Sequence, residues 1–523
     1  MVISHSKFLT VCASALMVFS VGVVHAQDTA QSMESEMKVS PDTLPVPNDS
    51  SAGAPIYESG VVPETAPAPA PVLAATSPET PAVSAATQIG SYNPRSTGTD
   101  RIVTLRDAVA VGVLTNPETE TVENNRRATD EELEQAKALY LPSVDMRADT
   151  GYQSIYSDPD GAVSGHSDLW RSQASLTLTQ LLFDGFETHY ENERQRHRVR
   201  SASHRVRETA EFVGLDIVEA YLDVLRQREL LAIAQENLNQ HRSIMSQIED
   251  STGAGRSTQA DVEQTKARIQ AAVAQEAAVR QSLRNAEASY LRRVGDMPQT
   301  NLQRPVSPNN LLESSVDDEV KQVLTHSPTL DIKEADVNVA ESEMEQSKAT
   351  LYPQLDFQAG ASVGENLDGV EGRTQEASAL VIANWNLYRG GGDEARIREH
   401  VYRHAQAKSD RNASARTVER DVRQTWANML AARERAEAFR GQADANAMVV
   451  QAYKDQFNLD RRTLLDVLDS QNEWFVSRSN AINNDYLEMF AVYRLLALRG
   501  VLLPSMGVAY PKEVNPSDKS RRG

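Results

Sequence analysis

Hydrophobic and polar positions follow two rhythms along this chain, and the switches between them mark its elements. From Val206 the series Val206, Ala210, Val213, Ile217, Ala220, Val224, Gln227, Leu231, Ala234, Leu238, His241, Met245 and Ile248 steps by fours and threes without a break, and only Gln227 and His241 are not apolar. A sustained 3.5-residue period predicts a helix in a left-handed coiled coil. It is placed over about 186–251, followed by a turn at Gly253-Ala254-Gly255 and an alanine-rich return helix over about 258–294. Upstream the period is two. Val144, Met146, Ala148, Thr150 and Tyr152 alternate with Asp145, Arg147, Asp149, Gly151 and Gln153, while Trp170, Ala174, Leu176, Leu178 and Leu182 share a face opposite Arg171, Gln173, Ser175, Thr177 and Thr179. These are strands with one apolar and one polar face, in a hairpin over about 143–183 turned at Asp158-Pro159-Asp160-Gly161. A helix from about Pro117 precedes them and stops at Pro142, which cannot continue it.

The same order then recurs. Glu134-Gln135-Ala136-Lys137-Ala138 matches Glu345-Gln346-Ser347-Lys348-Ala349 at an offset of 211, and Leu182-Phe183-Asp184-Gly185 matches Leu387-Tyr388-Arg389-Gly390 at 205. Arg256, Thr258, Asp261 and Val262 match Arg461, Thr463, Asp466 and Val467, also at 205. One structural unit is therefore used twice, over 101–310 and 311–503, the second with a hairpin at about 354–388, a long helix at about 391–458 and a return helix at about 463–499. Its fourth strand alternates less cleanly, because Leu380 and Ile382 fall on the polar face. The short helices of each unit together nearly equal the long one, so both can lie along it end to end, meeting near Pro117 and Leu291 in the first unit, on a helix roughly 95 Å long.

Composition narrows what this architecture serves. A net charge of -20 and 24% charged residues give no basic footprint for nucleic acid. Residues 1–26, with Lys7, an apolar run and Val24-His25-Ala26, read as a signal peptide cleaved after Ala26, and the only cysteine, Cys12, lies inside it. Residues 27–100 hold 11 of 22 prolines and are expected to form a disordered periplasmic arm; 504–523 are expected to be a flexible tail. No later stretch approaches 18 consecutive apolar residues, so a membrane crossing must use β-strands closed into a barrel. Strands of about ten residues suit a tilted crossing, and Tyr140, Trp170, Phe183, Tyr352, Trp385 and Tyr388 near the strand ends suit an interfacial girdle. Two hairpins leave open edges, so several copies must share one barrel; four strands per chain give 12 in a trimer or 16 in a tetramer, and periodicity does not choose.

At this point the chain resembles the TolC-like outer-membrane factors over about 101–503. The resemblance rests on the duplicated hairpin and coiled-coil plan, the Asn116-Pro117 helix start, Leu182-Phe183-Asp184-Gly185, and Arg462-Thr463-Leu464-Leu465-Asp466-Val467-Leu468-Asp469. It implies a mixed α and transmembrane β fold, a homotrimer with a 12-stranded barrel in outer-membrane lipid continuous with an α-helical periplasmic tunnel, and export with a periplasmic adaptor and an inner-membrane transporter. The Arg-rich stretch from Leu182 to Arg207 looks more like members serving type I protein secretion, with an ABC-type transporter, than like the drug-efflux branch. An efflux outlet is the alternative. A coiled-coil envelope protein without a pore is a distant one, since it leaves four duplicated strands without a purpose.

The resemblance also assigns residues. Asp466 and Asp469, three apart on one helix face, fall on the cation-selective constriction, and self-repulsion within such rings should raise their pKa. Asp261 and Arg462 fall on lock positions between the helical hairpins, with Phe457 where the family has a tyrosine and Ala260 where it has a threonine, which predicts a weaker lock. Gly253, Gly255, Asp460 and Thr463 make the turns at that end. No enzyme, cofactor or metal is expected: no nucleophile and base recur in a recognisable spacing, and His400 and His404, at i and i+4, have no third ligand near them in sequence.

Overall fold

The computed structural model describes residues 104–157, 165–459 and 461–516. The expected signal peptide, the arm 27–100, the turn at Asp158-Pro159-Asp160-Gly161 and Asp460 lie outside them. Element order is α1 (Leu105–Thr115), α2 (Pro117–Ala138), β1 (Ser143–Ser157), β2 (Gly165–Phe183), α3 (Glu187–Gly253) and α4 (Gln259–Val294), then α5 (Val316–His326), α6 (Pro328–Ser347), β3 (Gln354–Glu365), β4 (Arg373–Asn384), α7 (Gly392–Asn458), α8 (Leu464–Arg499) and a short α9 (Leu502–Ser505). Helix starts follow local chemistry: Asn116 accepts from Glu118 N–H with Pro117 as first residue of α2, and Thr104 and Ser315 cap α1 and α5.

Both 67-residue helices carry a partner at each end. Along α3, α2 covers the half next to the sheet and α4 the other; where they abut, Arg293 stands 3.7 Å from Glu118 and 2.5 Å from Asp216. In the second unit the corresponding junction brings α6 against the end of α8, where a side chain on Gly500, at φ +73°, would meet Pro328 at 2.6 Å. Of the thirteen seam positions on α3, ten are buried, including His241. The duplicates differ in burial: α3 buries residues from Thr188 to Ile248, whereas nothing on α7 before Val418 is buried.

The four strands form one antiparallel sheet in the order β1-β2-β3-β4. Register fixes its faces. Val144 lies opposite Leu178, Met146 opposite Leu176 and Tyr152 opposite Trp170, and the face continues through Ala359, Ala361 and Val363 of β3 to Ala377, Ala379 and Val381 of β4. Asp145, Arg147 and Asp149 face Thr177, Ser175 and Gln173 on the other side. Leu380 and Ile382 oppose Gln358 and Asp356, so they do belong to the polar face. Among the described residues nothing covers the apolar face: Met146 is 75% exposed.

Between sheet and helix the chain turns sharply. Gly185 has φ +68°, and a Cβ there would sit 2.8 Å from the Ala349 carbonyl oxygen and from Tyr352 Cβ, so only glycine lets β2 turn into α3 against the second unit. Asp184 Oδ2 accepts from Thr188 N–H at 2.7 Å, completing the helix start.

The C-terminal segment departs from expectation. Residues 504–516, expected as part of a flexible tail, pack back on the helices. Leu502 and Leu503 are fully buried, their N–H groups donate to the buried carboxylate of Glu211 at 2.8 and 3.4 Å, and Tyr510 donates its hydroxyl to the same carboxylate. Arg127 pairs with Glu513 at 2.6 Å. The composition of this stretch hid a partner that lies 299 residues upstream of Tyr510.

Candidate functional site at the helical turns

Far from the sheet, α3 turns into α4 and α7 into α8, and the helices that follow the two turns start alike. The α3 turn closes through N–H donation from Ala254 to Asp250, Gly255 to Thr252 and Arg256 to Ser251, with Gly253 ending the helix and Gly255 at φ +70°. Thr258 then caps α4 with Asp261, and Thr463 caps α8 with Asp466, each as a reciprocal capping box. Asp261 Oδ2 accepts from Thr258 N–H at 2.9 Å, Thr258 hydroxyl at 2.8 Å and Ser257 hydroxyl at 3.0 Å. Asp466 Oδ2 accepts from the Thr463 hydroxyl at 2.7 Å and its N–H at 3.3 Å.

These bonds set the electrostatics. The Thr258 N–H holds the Asp261 carboxyl below the usual carboxylate range, and the Thr463 hydroxyl does the same for Asp466. The rise expected of Asp466 belongs to a ring of three copies; within one chain the donors of its own helix start stabilise the charged form. Arg462, 3.8 Å from Asp466, adds to this.

Among the described residues no hydrogen bond or ion pair joins Asp261 to Arg462. Asp261 is occupied by its own cap, whereas Arg462 stacks over the Tyr453 ring at 4.0 Å and donates to Gln456 Oε1 at 3.2 Å. Phe457 packs with Met245 and Tyr453 against an apolar cluster of Ile244, Ile248, Val262, Leu464, Val467 and Leu468. Asp469 pairs with Arg268 of α4, Nη2 to Oδ1, at 2.8 Å.

Beyond the turns a polar ladder joins α3 to α8. Glu236 pairs with Arg478 at 2.7 Å, Gln471 donates to Gln240 at 3.0 Å, and His241 Nδ1 lies 3.1 Å from Gln471 Oε1. Burial lowers the His241 pKa, so the ring is neutral at pH 7. Arg268 and Arg478 escape a reading by periodicity because each is a polar residue on an exposed or half-exposed face, and Gln471 because a polar residue buried in the seam of α8 breaks the apolar pattern. Two signals were available. His241 breaks an otherwise apolar seam, and Arg268 lies seven residues past Asp261, two turns along the same face.

No helix among the described residues is long and apolar enough to cross a membrane. The family model for outer membrane efflux proteins matches twice, over residues 114–295 and 320–501, following the duplication. The outer membrane efflux protein BepC of Brucella suis biovar 1 (strain 1330) is 26% identical, over 72% of this chain and 80% of its own length. The outer membrane protein TolC of Escherichia coli (strain K12) is 21% identical over 71% and 77%. The alkaline protease secretion protein AprF of Pseudomonas aeruginosa is 23% identical over 63% and 69%. Among solved structures, the Campylobacter jejuni CmeC outer membrane channel superposes with a TM-score of 0.66 at 11% identity, covering 80% of this chain and 90% of that one. With two copies of the family's repeat, a barrel-forming sheet and paired long helices, the chain belongs to the outer membrane efflux protein family and is a subunit of a non-enzymatic outer-membrane channel reaching into the periplasm.

Proposed function

We propose that this chain is the exit duct of a type I protein secretion system, three copies closing one 12-stranded barrel that leads into a helical periplasmic tunnel. The observation that carries the shared barrel is the sheet: four strands, an apolar face without cover, and open edges on β1 and β4. In lipid each unpaired edge group costs on the order of several kcal/mol, so β1 of one copy must pair with β4 of the next. The exposed start of α7, set against its buried duplicate in α3, supports a neighbouring copy at that face. The protein-secretion reading draws on the Arg-rich stretch from Leu182 to Arg207 and on AprF, which is named for protease secretion. It implies a periplasmic adaptor and an ABC-type inner-membrane transporter as partners. A second reading, an efflux outlet, is favoured by the name of BepC.

A deletion strain separates the two. Loss of a large protein from the medium, restored by the intact gene, is expected; antibiotic sensitivity with an unchanged secreted set would overturn the secretion reading in favour of efflux.

At the periplasmic end, Asp466 and Asp469 of three copies would form two carboxylate rings that draw cations into a constriction. Arg462 takes a gate role by holding the α7 turn on Tyr453 and Gln456, with Asp261 and Phe457 fixing the frame around it. Arg462→Ala is expected to raise the conductance of the purified channel in planar bilayers. An unchanged conductance would remove Arg462 from the gate.

A further inference from the structure

The two aspartates of the proposed constriction do not have equal surroundings. Asp466 is bonded by neutral donors at the start of its own helix, with Arg462 of the same helix pair 3.8 Å away, so its surroundings travel with it. Asp469 is met by a full guanidinium from the other helix pair, Arg268 of α4, at 2.8 Å. Three copies of Asp469 with three copies of Arg268 carry no net charge, so while the pair holds the Asp469 ring adds nothing to a cation-attracting field.

We propose that Arg268 is a selectivity-determining residue: it masks the Asp469 ring while the α3–α4 and α7–α8 pairs lie together, and unmasks it when they part. This rests on the reading of Asp466 and Asp469 as a constriction. The geometry gives three reasons. First, α4 belongs to the first repeat and α8 to the second, so the pair spans the two helix pairs and is lost when they separate. Second, it extends the α3–α8 ladder of Glu236–Arg478, Gln240–Gln471 and His241–Gln471 toward the turns, where separation begins. Third, the partners are 42% and 51% exposed, and an ion pair so open to water holds weakly. The pair is therefore a poor clamp, whereas its charge effect survives in water: three carboxylates are concealed or presented according to the position of α8. Opening and cation attraction are coupled through one side chain.

The test is the full mature channel in planar bilayers, read as conductance and as the K⁺ to Cl⁻ permeability ratio at about 0.15 M KCl. Arg268→Gln should raise the ratio on the order of fivefold, as expected of three unmasked charges about one Debye length from a passing ion, and should raise conductance. Arg268→Lys should stay near the parent. The exchange variant, Arg268→Asp with Asp469→Arg, should return both readings to the parent, because a pair of reversed polarity still masks and still links. An Arg268→Gln channel with an unchanged ratio, or an exchange variant as open as Arg268→Gln, overturns the proposal while Asp466→Asn still lowers the ratio. If Asp466→Asn and Asp469→Asn both leave the ratio unchanged, the constriction reading itself fails, and this proposal with it.

Discussion

Glu211 shows how much one buried group can hold. Its carboxylate is fully enclosed and collects the N–H groups of Leu502 and Leu503 and the Tyr510 hydroxyl, so one side chain of α3 ties three groups of the C-terminal segment. Burial pushes its pKa from 4.5 up to about 7; the three donors and Arg207 pull the other way without reversing it. The folded state therefore binds the Glu211 proton more tightly than the unfolded chain does. Stability present below pH 4.5 is lost as pH rises to about 7, by on the order of 3 kcal/mol. The C-terminal segment should become more open to protease at pH 8 than at pH 5, and Glu211→Gln should flatten that dependence. Equal cleavage of the parent at both pH values would show that the carboxyl does not titrate there. Sequence alone could not place this residue: an isolated glutamate on a long helix resembles any solvated charge until its distant partner is known. His241 was more legible, since a polar residue interrupting an apolar seam signals a specific partner, and Gln471 is that partner.

Elements were read well where one pattern repeats over many residues. The four-and-three seam carries α3, and strict alternation carries β1 and the first part of β2, because burial against a single partner imposes a single period. Legibility fell where a strand carries apolar residues on both faces: in β4, Leu380 and Ile382 lie beside Gln358 and Asp356, and only the register shows which face they serve. It fell again at α1 and α5, each 11 residues long and too short for a seam to stand out. Met146 lies on the apolar face and Arg147 on the polar one, so Met146→Arg should reduce insertion into the outer membrane by the equivalent of about 2–4 kcal/mol if it lies near the bilayer midplane. Arg147→Met should be tolerated. Recovery of both variants from outer-membrane fractions tests this, and equal recovery would mean that the faces are assigned the wrong way round.

For the whole molecule, duplication supplies the plan and asymmetry supplies the use. The two repeats match closely enough for the family pattern to fall on each, yet α3 is buried along most of its length while the start of α7 is bare. Repetition in the sequence predicts the first fact and is silent on the second, because burial depends on which copy sits inside. The same limit holds at the turns: motif matching assigns Asp261 and Arg462 to lock positions without naming their bonds, and within the chain Asp261 is held by its own cap, Arg462 lies over Tyr453, and Asp469 meets Arg268. The pairing of β2 with β3 sets a schedule for biogenesis. Each hairpin can zip up locally, but the central seam of the sheet unites strands about 180 residues apart in the chain, a slow encounter by comparison. A newly exported chain must therefore wait, greasy strands in water, until its second half arrives; shielding that interval is a task for the cell's escort proteins rather than for the fold.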